Sequence, residues 1–501
     1  MKLSALIAGG GPVGLMLAGE LARWGVPYRV FDQATERTTL SKALVVWPRT
    51  LEMLRLAGCA DTFVKAGRAI SRAEISSGRR KIATIGFESI AGFGTPYPCP
   101  LFVPQSETER LLEEHLSLLG GRVERGVTLA SFAARANGVS VTLAHPDGRK
   151  ENVECDWLLG CDGAHSAVRH GLGIGFEGAT EPFAFMLGDV KLSGAAEDRL
   201  SLYWHSSGVL GLFPMGGGRF RVIADLGPAE TAPAAATLDL IQHALDQRGP
   251  GGMNASDPAW LSLFHINDRK VKDYRHGHVI LAGDAAHIHS PAGGQGMNTG
   301  MQDASNLAWK LALVARGAPE RLLDTYSAER SAVGRMVLRN AGGGTRLVTV
   351  RNKLLQAVRN FVVAWLLRQN FARRAFAATM TELNIGYPKS ALSQGAKRGR
   401  IAPGMRAPDA DLAGGGTLFD ALNRRGFTVL NVGGAAPSGG FARFGDLVKV
   451  VTAANAGEIA ARWGDGLYVV RPDWYVGLVA KAGEWSAAEK YLAAWTDGVD
   501  R

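Results

Sequence analysis

Apolar positions recur at two periods along this chain, and each change of period marks an element. Residues 3–8 (LSALIA) are a mostly apolar run of strand length. Gly9-Gly10-Gly11-Pro12-Val13-Gly14 follows, then a helical period to Trp24, then an apolar strand 28–31 closed by Asp32. Strand, glycine turn, helix and strand in succession predict a βαβ unit. Residues 41–58 read as a loop and a helix, and 72–87 alternate weakly, as strands do. Residues 104–119 predict an amphipathic helix with Ser106 as N-cap and Glu109 as its capping-box partner. Strands are expected at 123–129, 139–145 and 155–159. From 183 to 226 the pattern turns to short strands (200–204, 209–214, 219–225) separated by glycine turns such as Gly216-Gly217-Gly218. That predicts an inserted antiparallel sheet. Residues 279–282 are again a buried strand, ending at Gly283-Asp284. A loop with Pro291, Gly293, Gly294 and Gly296 leads into a helix with Met301, Ala304, Leu307, Ala308 and Leu311 in register.

Helices resume after 319. Residues 345–378 mix arginines with Leu, Val, Phe and Trp365. This predicts helices packed on the protein with their arginines outward, the alternative being a membrane-surface helix. Residues 397–408 read as a linker, and 418–495 as a small α/β unit with segments at 427–432, 447–451, 457–463, 467–471 and 475–479.

Length and composition narrow the class. The 501 residues exceed one ordinary core. The net charge of +10 comes from residues scattered along the chain, apart from the region after Thr345, and fits anionic cofactors or solubility; no nucleic-acid recognition motif accompanies it. Cys59, Cys99, Cys155 and Cys161 form no CxxC pair; Cys155 and Cys161 flank a strand and are expected in small apolar core roles, and a reducing cytoplasm fits. No signal peptide is expected, and no apolar run reaches the roughly 20 residues of a membrane span.

The chemistry sits where strands end. In Gly-x-Gly-x-x-Gly, Gly9 permits a tight turn, Gly11 lets a pyrophosphate approach the backbone, and Gly14 lets the helix pack on the strand. Asp32 stands where an adenosine ribose is bound. Cys161-Asp162-Gly163 with Arg169 ends another strand; a pyrophosphate contact and a structural turn are both open for it. Asp284 ends a third. The glycine loop before Met297 presents the positive end of a helix to a group that becomes negative. Trp204, His205, Phe213 and Met215 are candidates to face a ligand from the inserted sheet. His287 and His289 lack a third ligand nearby, so no metal is expected.

Three motifs in one order, Gly9–Gly14 with Asp32, Asp162-Gly163 with Arg169, and Gly283-Asp284 with the loop at Pro291, resemble the class A, para-hydroxybenzoate hydroxylase-like flavoprotein aromatic hydroxylases over residues 1 to about 345. Pro403-Gly404 and Ala407-Pro408-Asp409 are similar to the thioredoxin-like domain of the phenol hydroxylase and polyketide hydroxylase branch. With no cysteine beyond Cys161, that domain cannot do dithiol chemistry and is expected to serve structure or oligomerisation.

The resemblance implies an α/β fold in three parts. A Rossmann-like FAD-binding domain would take 1–175 and 268–345, and an antiparallel substrate domain 176–267 with parts of 70–104. A helical linker, 346–398, would lead to the thioredoxin-like domain, 399–501. It implies FAD held by Gly9, Gly11, Pro12, Gly14, Asp32, Gln33, Lys42, Gln105, Arg110, Asp162, Asp284, Pro291, Gly294, Gly296, Met297 and Asn298. Lys42 stands where the family often has arginine, which keeps charge but not the planar fork. NADPH or NADH would reduce the flavin, and oxygen would pass through a C4a-hydroperoxide to a phenolic or polycyclic aromatic substrate held by Trp204, Phe213 and Met215. Pro291 would line the reacting ring, and His205 would serve as base. Baeyer–Villiger oxidation, rifampicin-type inactivation and flavin binding without turnover stay open, as does a homodimer.

Overall fold

The computed structural model describes residues 3–39, 41–290, 293–348, 350–435, 437 and 440–499. Its first sheet has Leu3–Ala8 at the centre, paired in parallel with Tyr28–Asp32 on one side and Lys150–Gly160 on the other. Val123–Arg125 extends one edge and Val279–Leu281 the other, both in parallel. The chain runs to opposite sides of Leu3–Ala8, so a crevice opens beyond that strand's carboxyl end. Helices Pro12–Trp24 and Gly296–Ala315 pack together over the crevice, and the second of them is buried almost throughout. Its apolar residues fall on nearly every face, the mark of a core helix.

The second sheet has eight strands, in the order His287–Ile288, Asn254–Lys270, Glu177–Ser193, Arg219–Pro228, Gly208–Gly216, Leu200–His205, Arg72–Ser77 and Arg80–Gly86. The sequence pattern predicts only short strands here, yet Glu177–Ser193 and Asn254–Lys270 each run 17 residues. Register shifts between Thr180 and Ala184 and between Asp189 and Lys191 break their alternation, which hides their length from a period count. Helix Leu238–Arg248, capped by the Thr237 hydroxyl, covers one face of the sheet. A three-stranded patch, Val45–Val46, Leu101–Phe102 and Arg68–Ala69, meets the other.

Two expectations are corrected. Helix Gln105–Leu118 begins one residue before Ser106, with Pro104 at the N-cap position and no side-chain cap. The Glu109 carboxylate instead accepts from Gln105 Nε2 at 2.9 Å. In helix Lys353–Leu366 most of the large apolar residues face outward, Val363 excepted, and Arg359 turns in over the Trp204 ring at 4.7 Å. The C-terminal unit is a five-stranded mixed sheet, Gln394–Gly395, Val476–Ala480, Gly466–Val470, Phe427–Val432 and Val448–Ala453, with helix Trp485–Thr496 packed on it.

Candidate active site

Three strands deliver three turns to the crevice, and backbone hydrogen bonds lace them together. Cys161 N donates to Ala8 O at 2.8 Å, and Ala282 N to Gly160 O at 2.9 Å. Gly9 has φ +105°, and a Cβ there would lie 2.3 Å from Cys161 O. A Cβ on Gly14 would lie 1.9 Å from Gly9 O. These two glycines are fixed by the protein's own packing. A Cβ on Gly11 would meet nothing within 4 Å, so that position opens on free space. Pro12 starts the helix, where its missing N–H costs nothing. Asp32 accepts from Gly10 N at 2.6 Å and Ala34 N at 2.8 Å, which aims the carboxylate along the turn; Gln33 beside it is exposed.

Asp162 accepts from Val168 N through Oδ2 at 3.1 Å, while its Oδ1 is buried with no hydrogen-bond partner. Arg169 donates to Ala285 O and Ala164 O and stacks on Phe176, so it braces the turns. Burial lowers its pKa. Asp284 is exposed on the turn Gly283–Ala285.

That turn is held by a residue not singled out in the sequence. Asp303, fully buried, accepts from Gly283 N at 3.0 Å and Arg330 Nε at 2.5 Å, and pairs with His287 Nε2 at 2.7 Å. Burial pushes its carboxyl up, but Arg330 and His287 outweigh that and hold it below its ordinary value. The available signal is an acid on the apolar helix that follows the glycine loop. Nearby Glu382, at φ +61° and fully buried, accepts from Thr299 Oγ1 and Gln302 Nε2; burial pushes it up to about 8.

The amides of Gly296, Met297 and Asn298 precede Thr299 N, which makes the first intrahelical bond to Gln295 O, so they form the helix end that a ligand would meet. The Asn298 side chain is engaged with the protein: Nδ2 donates to Val45 O and Gly294 O, and Oδ1 accepts from Trp47 N. Met297 is half-buried against the core. Gly294 has φ +64° and lies against Val45. Pro291 lies outside the described residues. Gln105 seats the loop before Val45, with its N–H on Ser41 Oγ and Ala43 O and its Oε1 accepting from Ala43 N. Lys42 is exposed, and its carbonyl accepts from Arg221 Nη1, whose guanidinium makes a buried bidentate pair with Asp189. Arg110 pairs along its own helix with Glu107 and Glu114.

Trp204, Phe213 and Met215 come together in one apolar cluster with Val45, Trp47 and Phe102. The cluster reaches the glycine loop through Trp47 Nε1 on Gly293 O at 3.0 Å, and Phe213 meets Phe102 at 6.1 Å between ring centroids. His205 is not brought to them. Strand alternation sets it opposite Trp204, and it bonds to Ser207, which bonds in turn to Arg248 on the covering helix.

This arrangement defines a class: a dinucleotide-binding α/β scaffold whose glycine loop faces an apolar cluster on a second sheet. Residues 2–341 match the FAD binding domain family, and residues 400–498 match the aromatic-ring hydroxylase C-terminal domain. The chain is 35% identical to a flavin-dependent monooxygenase of Mycobacteroides abscessus, covering 98% of this chain and 99% of that one. It is 41% identical to 6-methylpretetramide 4-monooxygenase of Streptomyces rimosus over 78% of this chain and 71% of that one. The structure of an anhydrotetracycline hydroxylase from Streptomyces rimosus superposes with TM-score 0.82 at 32% identity, over 99% of both chains. The chain belongs to the FAD-dependent aromatic-ring hydroxylase family, and it is a flavin monooxygenase.

Proposed function

We propose that the protein uses NAD(P)H and O2 to hydroxylate a phenolic or polycyclic, polyketide-like aromatic in the cleft between the glycine loop and the inserted sheet. One observation carries this reading: Trp204, Phe213 and Met215 share a single apolar cluster with the residues that bear on Gly293 and Gly294. The residues fit FAD. Gly11 leaves open space for a pyrophosphate, Asp32 has lone pairs to spare for a ribose, and Asp162 Oδ1 is buried and unpartnered. Asp284 is exposed and would be available to a polyol chain. Bound FAD supplies electron transfer from NAD(P)H and the activation of O2. The chain's own part is to place charge and exclude water. The first-turn amides at Gly296–Asn298 would hold the ring and favour negative charge beside them. Trp204, Phe213 and Met215 would hold the substrate ring and exclude water from it. Gln105 and Arg221 act at one remove, fixing the Ser41-Lys42-Ala43 loop from either side. His205 is given no role, because its face of the sheet is turned away from the cluster.

Relatives named for 6-methylpretetramide and anhydrotetracycline support a polycyclic ring system. The test is NADPH and NADH oxidation by the yellow protein with a panel of phenols and polycyclic aromatics, following peroxide and product mass. A compound that stimulates oxidation and gains one oxygen with its ring skeleton intact is the expected result. Ring opening in every product, or no stimulation by any phenol or polycyclic aromatic of the panel, overturns the reading.

A further inference from the structure

Among the described residues, thirteen large apolar side chains are exposed, and nine of them lie between 354 and 376. On helix Lys353–Leu366 they are not scattered. Leu354, Leu355, Val358, Phe361, Val362 and Trp365 occupy one arc of about 120° at 100° per residue. Phe361 is 74% exposed and Trp365 55%. The inward face carries the buried Gln356 and Arg359, with Val363 as its apolar contact to the core. An amphipathic helix on its own protein normally turns the other way, so this apolar face is built to be covered by something else. Phe371 and Phe376 on helix Asn370–Met380 continue the exposed apolar surface.

Charge decides what covers it. From residue 330 to residue 381 the chain contains no acidic residue, and Arg368, Arg373 and Arg374 are exposed beside the apolar face. A second copy of the same face would bring cation against cation. An anionic lipid surface meets both features at once, because aromatic and aliphatic side chains enter the headgroup boundary while arginines pair with lipid phosphates. We infer that helices Lys353–Leu366 and Asn370–Met380 dock the protein on an anionic membrane surface. The inference stands independently of the substrate.

The test is co-sedimentation of the FAD-loaded full chain with vesicles of phosphatidylcholine alone and of phosphatidylcholine mixed with phosphatidylglycerol. Binding is expected to the mixed vesicles, weakened by salt. F361S/W365S should lower the bound fraction about tenfold or more while keeping its flavin absorbance. R368E/R373E should lose the preference for anionic vesicles. Three outcomes overturn the inference: no binding to mixed vesicles; full binding by the serine variant, which would trace attachment to overall positive charge; or a dimer in ultracentrifugation that the serine variant breaks, which would give the face to a second copy.

Discussion

Gly9, Gly11 and Gly14 look alike in sequence and differ in what a methyl would meet. At Gly9 and Gly14 an added Cβ strikes backbone oxygen at 2.3 and 1.9 Å, and Gly9 also has positive φ. Gly9→Ala and Gly14→Ala should each cost about 2–4 kcal/mol in chemical denaturation, since backbone cannot step aside. Gly11→Ala meets nothing within 4 Å. It should leave apoprotein stability unchanged and weaken FAD roughly tenfold or more in flavin titration, if the pyrophosphate uses that space. Equal loss of stability in all three would remove Gly11 from the cradle. Glu382 makes a different residue-scale prediction. Its carboxyl is raised by burial to about 8 from an ordinary 4.5. Between those values the unfolded chain has released a proton that the folded protein keeps. The group's contribution to stability is therefore full below about 4.5 and is lost as pH rises through about 8. Glu382→Gln cannot ionise, so its stability measured by urea unfolding across pH 5–8 should decline less steeply than that of the parent. A parallel slope would show that Glu382 does not titrate in this window.

At the scale of elements, what the sequence revealed depended on how far apart the partners lie. The glycine fingerprint and Asp32 span one βαβ unit, so spacing alone exposed them. Asp303 meets His287 and Arg330 from 16 and 27 residues away, and neither pairing leaves a periodic trace. Helix Lys353–Leu366 shows a third case: its stripe was legible, but period names a face without saying which side the core is on. The strand bearing Phe213 was legible by alternation, and that alternation puts Val209, Phe213 and Met215 toward the cluster and Leu210 and Leu212 under helix Leu238–Arg248. Gly211 shares the cluster face, where a Cβ would crowd the Phe213 ring at 2.9 Å. The sheet therefore presents a dent beside an aromatic wall. Phe213 is only partly buried, so Phe213→Ala should cost little stability, about 1–2 kcal/mol. Losing about 1.4 kcal/mol of ring contact raises KM about tenfold. Water entering the dent should also raise the share of NADPH oxidation that ends as hydrogen peroxide. Unchanged coupling and KM would place the substrate elsewhere.

Across the whole molecule, one buried charge cluster ties the C-terminal sheet to the flavin half. Arg471, fully buried, donates to Glu329 at 2.7 and 3.0 Å and to Asp473 at 2.5 and 3.0 Å. Glu329 stands on helix Arg321–Val348 and also binds Lys310 at 2.7 Å, at the far end of the helix that begins at the glycine loop. A second strand of the cluster runs from Arg406 through Glu52 to Arg49, which reaches back to Asp473 O. Buried pairs of this kind contribute little over an apolar core, but removing one partner strands the others without water. Arg471→Met should therefore cost about 3–5 kcal/mol, with Glu329 and Asp473 left facing each other in the interior. Because Glu329 and Lys310 lie on the helices that frame the flavin site, the loss should be felt there too. Flavin release and loss of far-ultraviolet ellipticity should move to lower temperature together, as one transition, in the parent and in the variant. A C-terminal unit that melts on its own, with flavin still bound, would show that the cluster joins two independently stable bodies. In that case the cysteine-free domain contributes nothing to holding the cofactor, and its place in the molecule is as a surface alone.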